Sequence, residues 1–152
     1  MTEPAREIEN LLYTYAERID AGDLAGVAAL FAHGRVKAGP DADAEGTFEG
    51  SARVLEMYSA AVKLYEDGTP RTRHVMTNAR IEVADDGQTA TAHSVYTVLQ
   101  AAPGLPLQPI ISGHYGDRFH RIEGRWHFET RIMFVDLAGD LRHHLLYELP
   151  PR

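Results

Sequence analysis

The sequence predicts an α+β domain, with helices first and a mostly antiparallel sheet after them, and three observations carry that prediction. Up to about residue 65 the apolar residues recur at the spacing of amphipathic helices. After residue 70 the pattern changes to four long runs rich in Val, Ile, Thr and aromatic residues. Short turn signals, Asp85-Asp86-Gly87 and Glu123-Gly124, join those runs as hairpins. Helices that precede such a meander are expected to pack on one face of it. If the sheet is strongly curved, the two layers enclose a cavity.

Ile8, Leu11, Leu12, Tyr15 and Ile19 place a first helix over residues 4–20, and Gly22 ends it. Asp23 is a plausible N-cap for a short second helix carrying Leu24, Val27, Ala28, Leu30 and Phe31. A short strand is expected from His33 to Ala38, and a loop from Gly39 to Gly46. The third helix starts near Ser51, shows Val54, Leu55, Tyr58, Val62 and Tyr65 on one face, and stops at Gly68-Thr69-Pro70. Strands are expected over Arg73–Ala84, Thr89–Ala101, Pro109–Ile122 and Trp126–Leu137, with Pro103-Gly104-Leu105-Pro106 as the longer middle turn. Residues 1–138 form one domain. The tail of residues 139–152 carries Leu141, Leu145, Leu146 and Tyr147 and is apolar enough to pack, either over a pocket mouth or in a dimer contact.

At 152 residues the chain can bury a core and an internal pocket. Its net charge of −7 argues against a nucleic-acid partner, which would need a basic face. No apolar run approaches the ~20 residues of a membrane span, and no signal-peptide pattern opens the chain, so a cytoplasmic location is expected. With zero cysteines there is no thiol catalysis and no thiolate metal site. The eight histidines show no metal-ligand spacing with a nearby carboxylate, and no phosphate-binding glycine loop is present. Chemistry without metal or cofactor is therefore expected.

The most informative residues are Asp20, at the end of the first helix, and His74, in the first long strand. A carboxylate on a helix can orient an imidazole on a sheet and stabilise its protonated form, which makes a general base. Tyr15 can donate a proton or bind an oxyanion, and Arg131 can hold a developing negative charge. In a regular strand Arg131 faces away from Trp126, Phe128, Ile132 and Phe134, so all can line one cavity only if a bulge intervenes. Tyr58, Met76, His93 and Phe134 are the candidate substrate-binding residues. Asp117 shares a face with Tyr115 and Phe119, as a second buried carboxylate or as the partner of an arginine on a neighbouring strand.

The chain resembles the SnoaL-like family of the nuclear transport factor two-like superfamily, the α+β cone. The residues carrying the resemblance run from Leu12 to Asp23, then Phe48-Glu49-Gly50, Thr72-Arg73-His74, Gly113 to Phe119 and Gly124 to Arg131. The resemblance implies a homodimer and a pocket for a small apolar cyclic molecule. Scytalone dehydratase and hexachlorocyclohexane dehydrochlorinase have aspartate and histidine at positions matched by Asp20 and His74. Bile-acid 7α-dehydratase adds a tyrosine matched by Tyr15, and the dehydrochlorinase an arginine matched by Arg131. Two departures stand out: the dehydrochlorinase has lysine in place of Tyr15, and Leu99 stands where scytalone dehydratase has a second histidine. The implied function is a cofactor-independent lyase or isomerase of dehydratase, double-bond isomerase or polyketide-cyclase type. The alternative is a non-catalytic binding module, or the small subunit of an aromatic-ring dioxygenase assembly.

Overall fold

In a computed structural model that describes residues 3–150, the element order is α1 (Pro4–Asp20), α2 (Leu24–Ala29), β1 (Arg35–Lys37), β2 (Thr47–Glu49), α3 (Gly50–Ala61), β3 (Thr72–Val83), β4 (Thr89–Ala102), β5 (Leu105–Ile122) and β6 (Arg125–Ala138). Pro4 begins α1, where its missing N–H costs nothing. Ile8, Leu12, Tyr15, Ala16 and Ile19 are buried along a single stripe. The helix ends in a left-handed glycine, Gly22, at φ +76°. A side chain there would also meet the Gly68 carbonyl oxygen at 1.8 Å, so only glycine lets the chain before β3 approach the end of α1. Asp23 caps α2 by accepting from the Gly26 N–H at 2.8 Å.

The six strands form one mixed, mostly antiparallel sheet in the order β2-β1-β6-β5-β4-β3. Among the described residues, only β1 and β6 pair in parallel. Three expectations are corrected here. The sheet is open and not strongly curled; α1, α3 and the C-terminal tail supply the remaining cavity walls. The turn between β4 and β5 is a tight one of Pro103 and Gly104, because Gly104 adopts φ +81° and the ladder continues to Ala102↔Leu105. Finally, α3 stops at Ala61, and Val62 is already extended, which leaves Tyr65 outside the helix. Among the described residues, no helix is long and apolar enough to cross a membrane.

Bulges set the phase of the inner face. On β6, Thr130 pairs with Arg118 but Phe128 pairs with Phe119, so Glu129 is an extra residue. Before it Trp126 and Phe128 face the core; after it Arg131, Met133 and Val135 take over that face. Phe31, Phe119 and Phe128 pack ring against ring as an aromatic core.

Candidate active site

The cross-strand register places the site rung by rung. His74 pairs with Val98, and Val98 with Ile111; the next rung inward holds Met76, Tyr96 and Gly113. Beyond those come Ser94, Tyr115 and Met133, then Ala92, Asp117 and Arg131. A cavity of about 410 Å³ lies over the outer rungs, within the range of small-molecule sites. Ile19 of α1, Met57 of α3, Val98, Ile111, Met133 and Val135 make most of its wall apolar.

His74 stands in this wall, and Asp20 meets it from outside the lining. The Asp20 carboxylate accepts from the backbone N–H of His74 at 2.7 Å and from the Thr72 hydroxyl at 2.9 Å. The His74 ring nitrogen Nδ1 lies 2.6 Å from Asp20 Oδ1. With a carboxylate as its partner, Nδ1 carries the proton, and Nε2 is left as the basic nitrogen. The His74 side chain is 6% exposed and Asp20 15%, so the pair is largely withdrawn from water. The Asn78 bulge (φ +54°) lies further along β3 and leaves the Thr72–His74 end in regular register.

Tyr15 and Tyr58, from α1 and α3, both line the cavity and share a short hydroxyl–hydroxyl hydrogen bond of 2.5 Å. Tyr115 packs edge-on against Tyr15 with ring centroids 5.9 Å apart. Burial pushes the Tyr58 and Tyr115 phenols well above their ordinary value, so both stay protonated hydrogen-bond donors. Tyr96 reaches over Gly113 to donate to the Phe134 carbonyl at 2.7 Å. A Cβ on Gly113 would sit 2.6 Å from that hydroxyl.

Arg131 does not line the cavity, which corrects its expected contact with a substrate. The Glu129 bulge does turn it inward, but one rung beyond the cavity. There its guanidinium makes two parallel hydrogen bonds to Asp117, at 2.9 and 2.8 Å, and both side chains are fully buried. Burial alone would lower the arginine's pKa, but Asp117 outweighs it and holds Arg131 protonated. The guanidinium stacks 3.7 Å from the Tyr115 ring centroid and 4.3 Å from that of Tyr15. Its influence reaches the cavity through these tyrosines. Asp117 is thus the partner of an arginine on a neighbouring strand.

His93 and Phe134 are not cavity residues either. Both lie on the opposite face of the sheet, stacked on His114 at 5.2 and 4.2 Å, because strand parity and the β6 bulge turn them outward. Met76 shares the inner face with His74 and packs against the core without lining the cavity. Tyr58 does line it. Tyr96, Met133 and Val135 also line the cavity, and the last two are visible as pocket residues only once the bulge is known. The tail brings His144 to the cavity wall as well. The signal for His144 was the pair Leu141 and Leu145, whose spacing marks an inward-facing side of the tail. Among the described residues, no group of three or more His, Asp or Glu is gathered as metal ligands.

Helices over one face of this sheet, with a cavity between the layers, define a nuclear transport factor two-like α+β fold. The chain belongs to the SnoaL-like domain family, whose model matches residues 2–132. Among solved structures it is similar to a Nostoc punctiforme protein of unknown function with a cystatin-like fold, at 23% identity, covering 90% of this chain and 94% of that one, with a TM-score of 0.71. It is similar to a candidate scytalone dehydratase from Novosphingobium aromaticivorans at 20% identity, covering 96% and 89%, with a TM-score of 0.69. It is also similar to LinA at 18% identity, covering 97% and 94%, with a TM-score of 0.66. These likenesses carry the fold. No curated protein matches the chain.

Proposed function

We propose that this protein is a cofactor-independent lyase or isomerase that moves a proton on a small, largely apolar ring compound. The observation carrying the proposal is the 2.6 Å contact between Asp20 and His74 at the wall of an apolar cavity. His74 Nε2 takes a proton from a carbon next to a carbonyl or a leaving group, and Asp20 stabilises the imidazolium that results. The paired hydroxyls of Tyr15 and Tyr58 stand ready for the oxygen on which negative charge develops. If the imidazolium returns its proton to a different carbon, a double bond migrates. If it gives that proton to a departing hydroxide, water leaves and the reaction is a dehydration. The family resemblance to dehydratases supports this reading, as does a cavity lining that, among the described residues, holds no Asp, Glu, Lys or Arg.

Deuterium exchange next to the carbonyl of 2-tetralone, followed by NMR in deuterium oxide, tests the base directly. The wild-type protein is expected to accelerate exchange at least about tenfold over buffer, since general-base help is typically worth ~10²–10⁴. His74→Ala should return exchange to the buffer rate, and Asp20→Asn should lower it at least about tenfold with the circular dichroism spectrum unchanged. A wild-type protein that exchanges no faster than buffer, or a His74→Ala protein that keeps wild-type exchange, sinks the proposal.

A further inference from the structure

The tail beyond β6 is fixed in place by its backbone. The Lys63 N–H donates to the His144 carbonyl at 2.8 Å, and the Leu146 N–H donates to the Ala61 carbonyl at 2.9 Å. The Gln100 side-chain amide bridges the Pro70 and His143 carbonyls at 3.0 and 2.9 Å, and the Tyr65 hydroxyl donates to that same His143 carbonyl. These contacts hold His144 in the cavity wall with 6% of its surface exposed, its ring centroid 6.4 Å from that of His74. Among the described residues, neither imidazole nitrogen of His144 has a hydrogen-bond partner. Nδ1 is walled off, whereas Nε2 retains open surface. Nε2 is thus the nitrogen that a bound molecule can complete, and no group of the described residues does so.

We propose that His144 is a substrate-binding residue, a second imidazole that hydrogen-bonds an oxygen substituent of the ring compound beside His74. The proposal rests on the reading of the cavity as a small-molecule site, and it narrows the ligand class to ring compounds bearing a hydroxyl or carbonyl at that end. Burial, and then the neighbouring His74, lower the His144 pKa to about 4, against the opposing pull of Asp20. At neutral pH the ring is uncharged, so its open Nε2 accepts a hydrogen bond from a hydroxyl in one tautomer and donates one to a carbonyl in the other. His74 and His144 thereby divide the work: one is tied to a carboxylate through Nδ1, the other is left neutral and free to bind.

Calorimetric titration with 2-naphthol and with naphthalene separates an oxygen contact from simple filling of an apolar space. Wild-type protein is expected to prefer 2-naphthol. His144→Leu should weaken 2-naphthol about fivefold to tenfold, the scale of one buried hydrogen bond, while naphthalene changes by less than about twofold. His144→Gln, which keeps a hydrogen-bonding group, should restore most of the preference. Failure of 2-naphthol to bind wild-type protein overturns the proposal, as does an unchanged 2-naphthol affinity in His144→Leu. Equal losses for both compounds overturn it too, because they would mark His144 as wall only. Since the titration needs no turnover, it can succeed where the deuterium-exchange test fails, and the reverse also holds.

Discussion

Asp20 makes one carboxylate serve three donors: a hydroxyl, a backbone N–H and an imidazole. The backbone bond fixes where β3 begins, and the ring bond fixes which face of His74 meets the cavity. A side chain with two such duties cannot be shortened or lengthened without moving the base. Arg131 illustrates a different kind of buried charge. Its partner Asp117 has no exposure at all, so Arg131→Met strands a carboxylate in the core and should cost about 3–5 kcal/mol. Replacing both, with Asp117→Leu added, should recover most of that loss, because two apolar groups need no partner. Urea unfolding of the single and double variants measures this; additive losses would show that the two residues do not act as a pair. Of the residues singled out from sequence, His74, Tyr15 and Tyr58 line the cavity, and Asp20 is bonded to His74. Arg131 faces inward through the extra residue on which its inward placement depended, but its register with Asp117 sets it one rung beyond the cavity. Phe134 is carried to the other face by that extra residue, whereas His93 lies outward by plain alternation with the buried Ala92 and Ser94.

At the level of the elements, the meeting of α1 with β3 depends on a glycine rather than on either partner of the dyad. Gly22 combines a left-handed φ with a near approach to the Gly68 carbonyl. Gly22→Ala should therefore lower stability by at least about 2 kcal/mol. It should also lower deuterium exchange, because Asp20 is drawn away from Thr72 and His74. Thermal unfolding and the exchange assay together check this; a stable variant with full exchange would mean the loop adapts without disturbing the site. The helices and long strands were legible to within a few residues because apolar period and turn residues act locally. The three-residue strands β1 and β2 carry too few residues to show a period, and β2 went unread. The curl expected of the sheet was inferred from the need for a cavity, which the tail and helices satisfy instead.

For the molecule as a whole, His144 links the cavity to global stability. An unfolded histidine titrates near its ordinary value of about 6.5, whereas His144 in the folded protein titrates at about 4. The folded state therefore favours the neutral ring. That contribution is fully present above pH 6.5 and is lost as pH falls toward 4, a span worth roughly 3 kcal/mol. Urea midpoints at pH 7 and pH 4.5 should converge more in His144→Gln than in wild-type protein. Equal acid sensitivity in both would show that the tail does not hold the ring away from water.

The extra residue at Glu129 divides β6 into two segments that share one face but not one task. Trp126 and Phe128 lie before it in the core; Met133 and Val135 lie after it in the cavity wall. Ligand fit can thus be reshaped at Met133 and Val135, by exchanging bulk for space, while the packing that keeps the protein folded is left alone. A single inserted residue makes evolvability a local property of half a strand.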